Sequence, residues 1–131
     1  LFVPDIAADQ LRQLSPASLA YVGDAVYELY NRCNFLLPPC RIADYHGKVV
    51  AEVRAETQAQ YLTLLEPYLS EPEQDIVRRG RNSATGKPRR LSLAVYRQAT
   101  GFEALVGYLY LTNPQRLAEL FTYLPQERSG V

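Results

Sequence analysis

The segment Leu19-Ala20-Tyr21-Val22-Gly23-Asp24-Ala25-Val26-Tyr27-Glu28-Leu29 decides the fold. Just upstream, Ser15-Pro16 has the form of a helix N-cap followed by Pro at the first helical position. Apolar residues then fall at Leu19, Val22, Val26, Leu29 or Tyr30, and Cys33. That spacing of three and four predicts an amphipathic helix running to about Asn34. Pro38-Pro39 forces a break after it.

The rest of the chain reads the same way. Residues 5–13 fit a short first helix. From Ile42 to about Tyr68 the pattern is helical in two pieces, with Val49, Val50 and Val53 serving the first and Ala59, Leu62 and Leu65 the second. Ser70-Glu71-Pro72-Glu73 has the form of a capping box and opens a helix through Ile76 and Val77 that should end near Gly80. Residues 80–91 read as a polar loop. Ser92 caps a long helix to about Leu111, with Val95 or Tyr96, Ala99, Phe102, Val106 and Leu109 on one face. Asn113-Pro114 starts a last helix through Leu117, Leu120 and Phe121. No stretch alternates with period two, so the expected fold is an all-α helical bundle.

The 131 residues suffice for one domain with one core and are too few for two. Apolar residues make up 47% and charged residues 21%, a globular and not a disordered composition. No apolar run is long enough to span a membrane, and no charged-then-apolar leader is visible. Leu1 stands first and no Met occurs, which points to a start lying upstream. Cys33 and Cys40 are one pair, not a disulfide framework, and they read as reduced thiols of a cytoplasmic protein.

The formal net charge is zero, with 14 basic and 14 acidic residues, which excludes a globally basic binder. The charge is segregated, however. Arg78, Arg79, Arg81, Lys87, Arg89 and Arg90 put six of the 14 basic residues between 78 and 90, where no acid occurs. The remainder holds eight basic against 14 acidic residues, a balance of −6. Such a segment suits a phosphodiester backbone, because Arg offers a planar fork to phosphate oxygens and counterion release supplies affinity. The alternative is a solvated loop that aids solubility.

Asp24 and Glu103 each sit among small or apolar residues on a helix, Asp24 after Gly23 and Glu103 between Gly101 and Gly107. Burying a lone carboxylate is costly, so each needs a partner or a cation. Two carboxylates from two facing helices can bind Mg²⁺ together with water. The competing arrangement is a salt bridge from each acid to a basic residue. Glu28, one turn after Asp24, can join either arrangement.

At these residues the chain resembles the ribonuclease III family. Its signature helix typically reads as an acid, two apolar residues, Gly, then Asp-Ala-Val, and Leu19–Leu29 is similar to it. Thr100-Gly101-Phe102-Glu103-Ala104-Leu105-Val106-Gly107 is similar to the family's second acidic motif, usually Asp-Ala-Phe-Glu-Ala-Leu. The closer resemblance is to the mini-ribonuclease III subfamily, a lone catalytic domain. It rests on Leu19-Ala20-Tyr21, Gln58-Ala59 downstream of His46, Arg79-Gly80-Arg81-Asn82 before a small basic loop, and Tyr96-Arg97 ahead of Phe102-Glu103. It covers about residues 15–122 of a single domain, 1–131, and no double-stranded-RNA-binding domain is expected after Leu124.

The resemblance implies an endoribonuclease acting on double-stranded RNA with Mg²⁺, leaving 5′-phosphate and 3′-hydroxyl ends. Asp24 and Glu103 match the catalytic and metal-binding acids. The usual first acid is Ala20 here and the usual Asp before the second motif is Thr100, a reduced set that leaves the number of metal ions open. Arg78, Arg79, Arg81, Asn82, Lys87, Arg89 and Arg90 are the expected RNA contacts, with Thr100, His46 and Glu28 as possible accessories. The resemblance also implies a homodimer, with Tyr27 and Tyr30 as candidate anchors, and precursor large-subunit (23S) ribosomal RNA as substrate. Tyr21, Tyr96, Tyr108 and Tyr110, like Tyr27 and Tyr30, read as core or dimer surface. The alternatives are an inactive ribonuclease III-like RNA-binding module, for which the loss of two acids argues, and a purely helical interaction protein.

Overall fold

The computed structural model describes residues 2–86 and 88–125 and is all-α among them, so Lys87 lies outside the described residues. The helices are α1 (Ala8–Gln13), α2 (Pro16–Asn34), α3 (Ile42–Val53), α4 (Ala55–Leu65), α5 (Glu71–Ser83), α6 (Leu93–Thr112) and α7 (Pro114–Phe121), with a 3₁₀ turn at Glu66–Tyr68. No helix among the described residues is long and apolar enough to cross a membrane.

The expected caps form. Ser15 Oγ accepts from Ser18 N at 3.0 Å and Ser92 Oγ from Val95 N at 3.1 Å. Asn113 Oδ1 accepts from Arg116 N at 3.1 Å. In the Ser70–Glu73 box, Ser70 N donates to Glu73 Oε1 at 2.8 Å. Each such cap contributes about 1 kcal/mol. Glu73 does more than cap. It is buried, and Arg116 on α7 grips it with two donors, at 2.9 and 3.0 Å. The guanidinium holds the Glu73 carboxyl below the usual carboxylate range.

The two-piece reading of 42–68 resolves at Arg54, whose backbone is extended (φ −68°, ψ 154°). Two side chains serve the carbonyls this break leaves open. Thr57 Oγ1 donates to Ala51 O at 2.6 Å, and Gln58 Nε2 to Val53 O at 3.0 Å.

α6 is the central helix. It packs against α2, α4, α5 and α7, which explains why its apolar residues run all round it and not along one stripe. Phe102, Ala104, Leu105 and Val106 are all buried. Phe102, Leu105 and Val106 share one cluster with Leu62 and Leu65 of α4, Val77 of α5 and Leu120 of α7, and Ala104 joins Leu19 and Ala20 of α2 and Ile76 of α5.

α2 and α6 touch backbone to backbone. A Cβ placed on Gly23 would lie 1.8 Å from the Glu103 carbonyl oxygen, and one on Gly107 would lie 1.9 Å from the Leu19 carbonyl oxygen. No side chain fits at either position.

Glycine also corrects the expected end of α5. The helix continues through Gly80 to Ser83. A Cβ on Gly80 would come within 2.8 Å of the Ala104 Cβ, so this glycine is a packing contact with α6 and not a terminator. Arg81 and Asn82 are therefore helical, and the loop begins at Ala84. α1 starts at Ala8, later than expected.

Tyr27 and Tyr30 are not surface anchors. Tyr27 is fully buried, its ring edge-on to Phe102 at 4.9 Å, and Tyr30 packs 4.4 Å from Phe121. The α2 face that carries Leu19, Gly23 and Tyr27 points at α6, which leaves Tyr21 and Leu29 exposed on the other side.

Gly23→Ala or Gly107→Ala should destabilise the protein by about 3 kcal/mol or more, because backbone must move. Gly47, inside α3 with open space around it, is the control. Gly47→Ala should stabilise by about 0.5–1 kcal/mol. Thermal melts of the three variants check both statements.

Candidate active site

Because α2 and α6 touch at Gly23, the next residue, Asp24, stands beside Glu103. Their carboxyl groups are in hydrogen-bonding contact. They lie in a cavity of about 320 Å³ that is also lined by Ala20 and Tyr21 of α2, Tyr96 and Thr100 of α6, and residues 83–85. Asp24 is exposed and Glu103 is partly buried. Among the described residues neither acid makes a salt bridge to a basic residue. The salt-bridge alternative is thus not what the fold builds.

Burial, and then the neighbouring Asp24, push the Glu103 carboxyl up to about 8, while a hydrogen bond from Gln58 pulls it the other way. At neutral pH the Glu103 carboxyl therefore keeps its proton. A hard divalent cation fits such a donor set, since it can take the place of that proton and satisfy both carboxylates. Among the described residues no cluster of three or more His, Cys, Asp or Glu side chains surrounds a cation. A cation held by these two carboxylates would take its further oxygens from water or substrate. The two substituted family positions both face this cavity. Ala20 contributes only a methyl, and Thr100 donates its hydroxyl proton to Tyr96 O at 3.0 Å, which keeps its oxygen lone pairs as acceptors.

The other expected residues divide. His46 lines a separate pocket with Arg32, Tyr45 and Val49 and does not join the acids. Glu28 pairs with Arg32 at 2.9 Å and does not line the acid cavity. Arg78 is engaged by Asp75 on the same helix, and Arg90 reaches Glu56 of α4 at 2.8 Å. Arg81, Asn82 and Arg89 are exposed, and Arg79 is partly buried. Ser83, Ala84 and Thr85 line the acid cavity, so the basic segment abuts the two carboxyls.

Sequence reasoning missed Gln58 as part of this site. It is 3% exposed on α4, donates to Val53 O at 3.0 Å, and lowers the Glu103 carboxyl against the effect of burial. The signal was a polar residue in the apolar stripe Gln58, Tyr61, Leu62, Leu65. Tyr21 and Tyr96, read only as core or dimer surface, also line the cavity.

The sequence profile described as Ribonuclease III domain matches residues 17–114. The chain belongs to the ribonuclease III family of endoribonucleases. Within it, the chain falls with the mini-ribonuclease III subfamily. It is 62% identical over 112 residues to Mini-ribonuclease 3 of Thermosynechococcus vestitus, covering 86% of this chain and 74% of that one. Against Mini-ribonuclease 3 of Synechocystis it is 55% identical over 117 residues, covering 89% and 82%. A crystal structure of a Fusobacterium nucleatum protein superposes with a TM-score of 0.82 at 28% identity, covering 88% of this chain and 97% of that one. Both acidic motifs fall inside the matched residues.

Glu103 has a measurable signature. The unfolded carboxyl gives up its proton near 4.5 and the folded one near 8, so this group costs folding stability increasingly as pH rises between those values. Glu103→Gln should therefore raise the melting temperature in chelator by roughly 3–6 °C at pH 8.5, and the gain should vanish at pH 4. Melts across that range check it.

Proposed function

We propose that this chain hydrolyses phosphodiester bonds of double-stranded RNA, with Asp24 and Glu103 as its catalytic acids and Mg²⁺ as the cation they hold. The observation that carries the reading is the contact of two carboxyls at the floor of a cavity bordered by an arginine-rich segment. A bound Mg²⁺ supplies Lewis acidity at a phosphate oxygen and a more acidic water.

The chain's own groups do the rest. Asp24 and Glu103 fix the cation from two helices whose spacing cannot drift. Thr100 accepts a hydrogen bond from a water in the cavity. Arg81 and Arg89, with Arg79 and Asn82, hold phosphates beside the acids. Arg78 and Arg90 join them by exchanging Asp75 and Glu56 for phosphate oxygens, and Lys87 belongs to the same segment. A-form RNA presents phosphates and 2′-hydroxyls more readily than base edges, which suits arginines on a helix end and loop. The products of this hydrolysis are a 5′-phosphate and a 3′-hydroxyl.

The active form is a homodimer, one acidic site per RNA strand. An apolar groove of about 340 Å³ on the outer face of α2, lined by Phe2, Tyr21, Val22, Ala25, Val26, Leu29 and Tyr110, supports this. Tyr21 and Leu29 take the anchor role expected of Tyr27 and Tyr30. The natural substrate is precursor large-subunit (23S) ribosomal RNA, met in the cytoplasm; this rests on likeness to the mini subfamily. The domain is a single one, with its core over about residues 15–122.

The second reading, an inactive RNA-binding module, is favoured by Ala20 and Thr100 in place of acids. One experiment separates them. Duplex RNA should be cut with Mg²⁺ by the native protein and left intact in chelator. Asp24→Asn should lose at least roughly 100-fold in rate at unchanged RNA affinity. Tight binding without cleavage by the native protein would establish the module. No binding at low salt would leave a helical interaction protein.

The clamp has its own test. Arg81→Ala and Arg89→Ala should each weaken duplex binding and flatten the dependence of log K on log salt by about one unit. Binding measured from low to moderate salt checks this, with an unchanged melting temperature as the control for folding.

A further inference from the structure

We infer that Tyr96 is a specificity-determining residue whose hydroxyl bonds a ribose 2′-hydroxyl beside the bond to be cut, so that the cavity itself distinguishes RNA from DNA. The inference rests on the reading of this cavity as a site of duplex RNA hydrolysis. It starts from helix geometry. Tyr96, Thr100 and Glu103 follow one another at spacings of four and three on one face of α6, and all three line the cavity. Tyr96 thus stands two turns before the acid, about 10 Å along the helix axis.

The chemistry of the lining selects the group. Among the described residues no Arg or Lys lines the cavity, so it offers no side-chain positive charge to a phosphate. Ala17, Ala20 and Ala84 contribute only methyl groups, which suits an uncharged part of the substrate. The hydroxyls of the lining divide by where their protons go. Ser83 Oγ donates to Gly80 O at 2.8 Å and Thr100 Oγ1 to Tyr96 O at 3.0 Å, so both meet a ligand only as acceptors. Tyr96 is half-buried, and among the described residues nothing hydrogen-bonds its hydroxyl, whose oxygen is open to solvent. Tyr21 and Thr85, the other two hydroxyls, are exposed. A 2′-hydroxyl both donates and accepts, so it can accept from Tyr96 while donating to an acceptor such as Thr100. Deoxyribose leaves both groups without a partner, which is how a site built around a substrate hydroxyl rejects the analogue lacking it.

The rivals are a hydroxyl that meets a phosphate oxygen and a ring that only fills space. A double-mutant cycle across protein and substrate separates them. Native protein and Tyr96→Phe, which keeps the ring, are each given a duplex RNA with Mg²⁺. Each is also given the same duplex carrying a single 2′-deoxynucleotide, moved in turn through every position within two nucleotides of the cut. In native protein one such position should lower the cleavage rate by about 10-fold, and Tyr96→Phe should lose about as much on the unmodified duplex. In Tyr96→Phe the same deoxynucleotide should cost less than about twofold more, because its partner is already gone. Penalties that multiply in full overturn the inference, since the phenol then meets something other than the 2′-hydroxyl. An unmodified duplex cut at the native rate by Tyr96→Phe overturns it as well.

Should Tyr96→Phe fail to fold, shown by its melting temperature, the scan on native protein still decides. Indifference to a deoxynucleotide at every scanned position overturns the inference without any variant. If native protein leaves the unmodified duplex uncut in Mg²⁺, the hydrolytic reading of the cavity fails, and this inference with it. Normal cleavage by native protein with no coupling between Tyr96 and any 2′-hydroxyl leaves that reading standing and sinks only the role of Tyr96.

Discussion

The structure depends on the contact between α2 and α6 at Gly23 and Gly107. Helices normally pack 8–10 Å apart, with side chains filling the space between their axes. Here two positions without side chains let a carbonyl of one helix approach the backbone of the other. The cost is helix propensity, roughly 1 kcal/mol per glycine relative to alanine. The return is register. With backbone against backbone, neither helix can slide or rotate, and the residue after Gly23 has one place to go. Asp24 meets Glu103 because Gly23 meets the Glu103 carbonyl. The same device recurs between α5 and α6 at Gly80 and Gly101, which brings the end of α5 to the rim of the cavity.

This register creates an electrostatic problem by design of the fold. Two acids share a partly buried position, with no basic residue brought in to neutralise them. The chain does use that solution elsewhere. Glu73, equally acidic and more buried, is gripped by Arg116 and is structural. The contrast between Glu73 and Glu103 separates an acid that locks helices from the acid to which we assign a cation. The reduced acid set points the same way, since Ala20 and Thr100 clear room in the cavity for oxygens that the protein does not supply.

Much of this was legible in the sequence, and what was not has identifiable physical causes. Caps and proline positions located most helix starts, because capping is local chemistry. Helix ends at glycine were misread, since Gly80 terminates nothing and instead admits Ala104; a single sequence does not distinguish a packing glycine from a stop. The apolar stripe of α6 was found, yet its burial on all sides depends on neighbours that periodicity does not reveal. Tyr27 and Tyr30 were assigned to the surface because the inner and outer faces of α2 are both apolar. The two acids were found through their surroundings, but their contact is a long-range fact. Glu28 was offered as an accessory although Arg32, one turn on, was its visible partner. Gln58 entered only through the family resemblance, because one amide in an apolar stripe does not reveal what it packs against.

The sheathing of α6 has a further meaning for the lifetime of the site. The middle of α6, from Ala99 to Leu109, is enclosed by its neighbours and exchanges its amide hydrogens only when the whole domain opens, so the half of the site that carries Glu103 is as durable as the fold itself. Asp24 faces solvent, while Ala84 and Leu91 are buried and Arg90 pairs with Glu56 of α4. The acid cavity thus joins a durable wall on α6 to an open side at Asp24, which a stiff, bulky polymer can reach from solvent without any opening of the core.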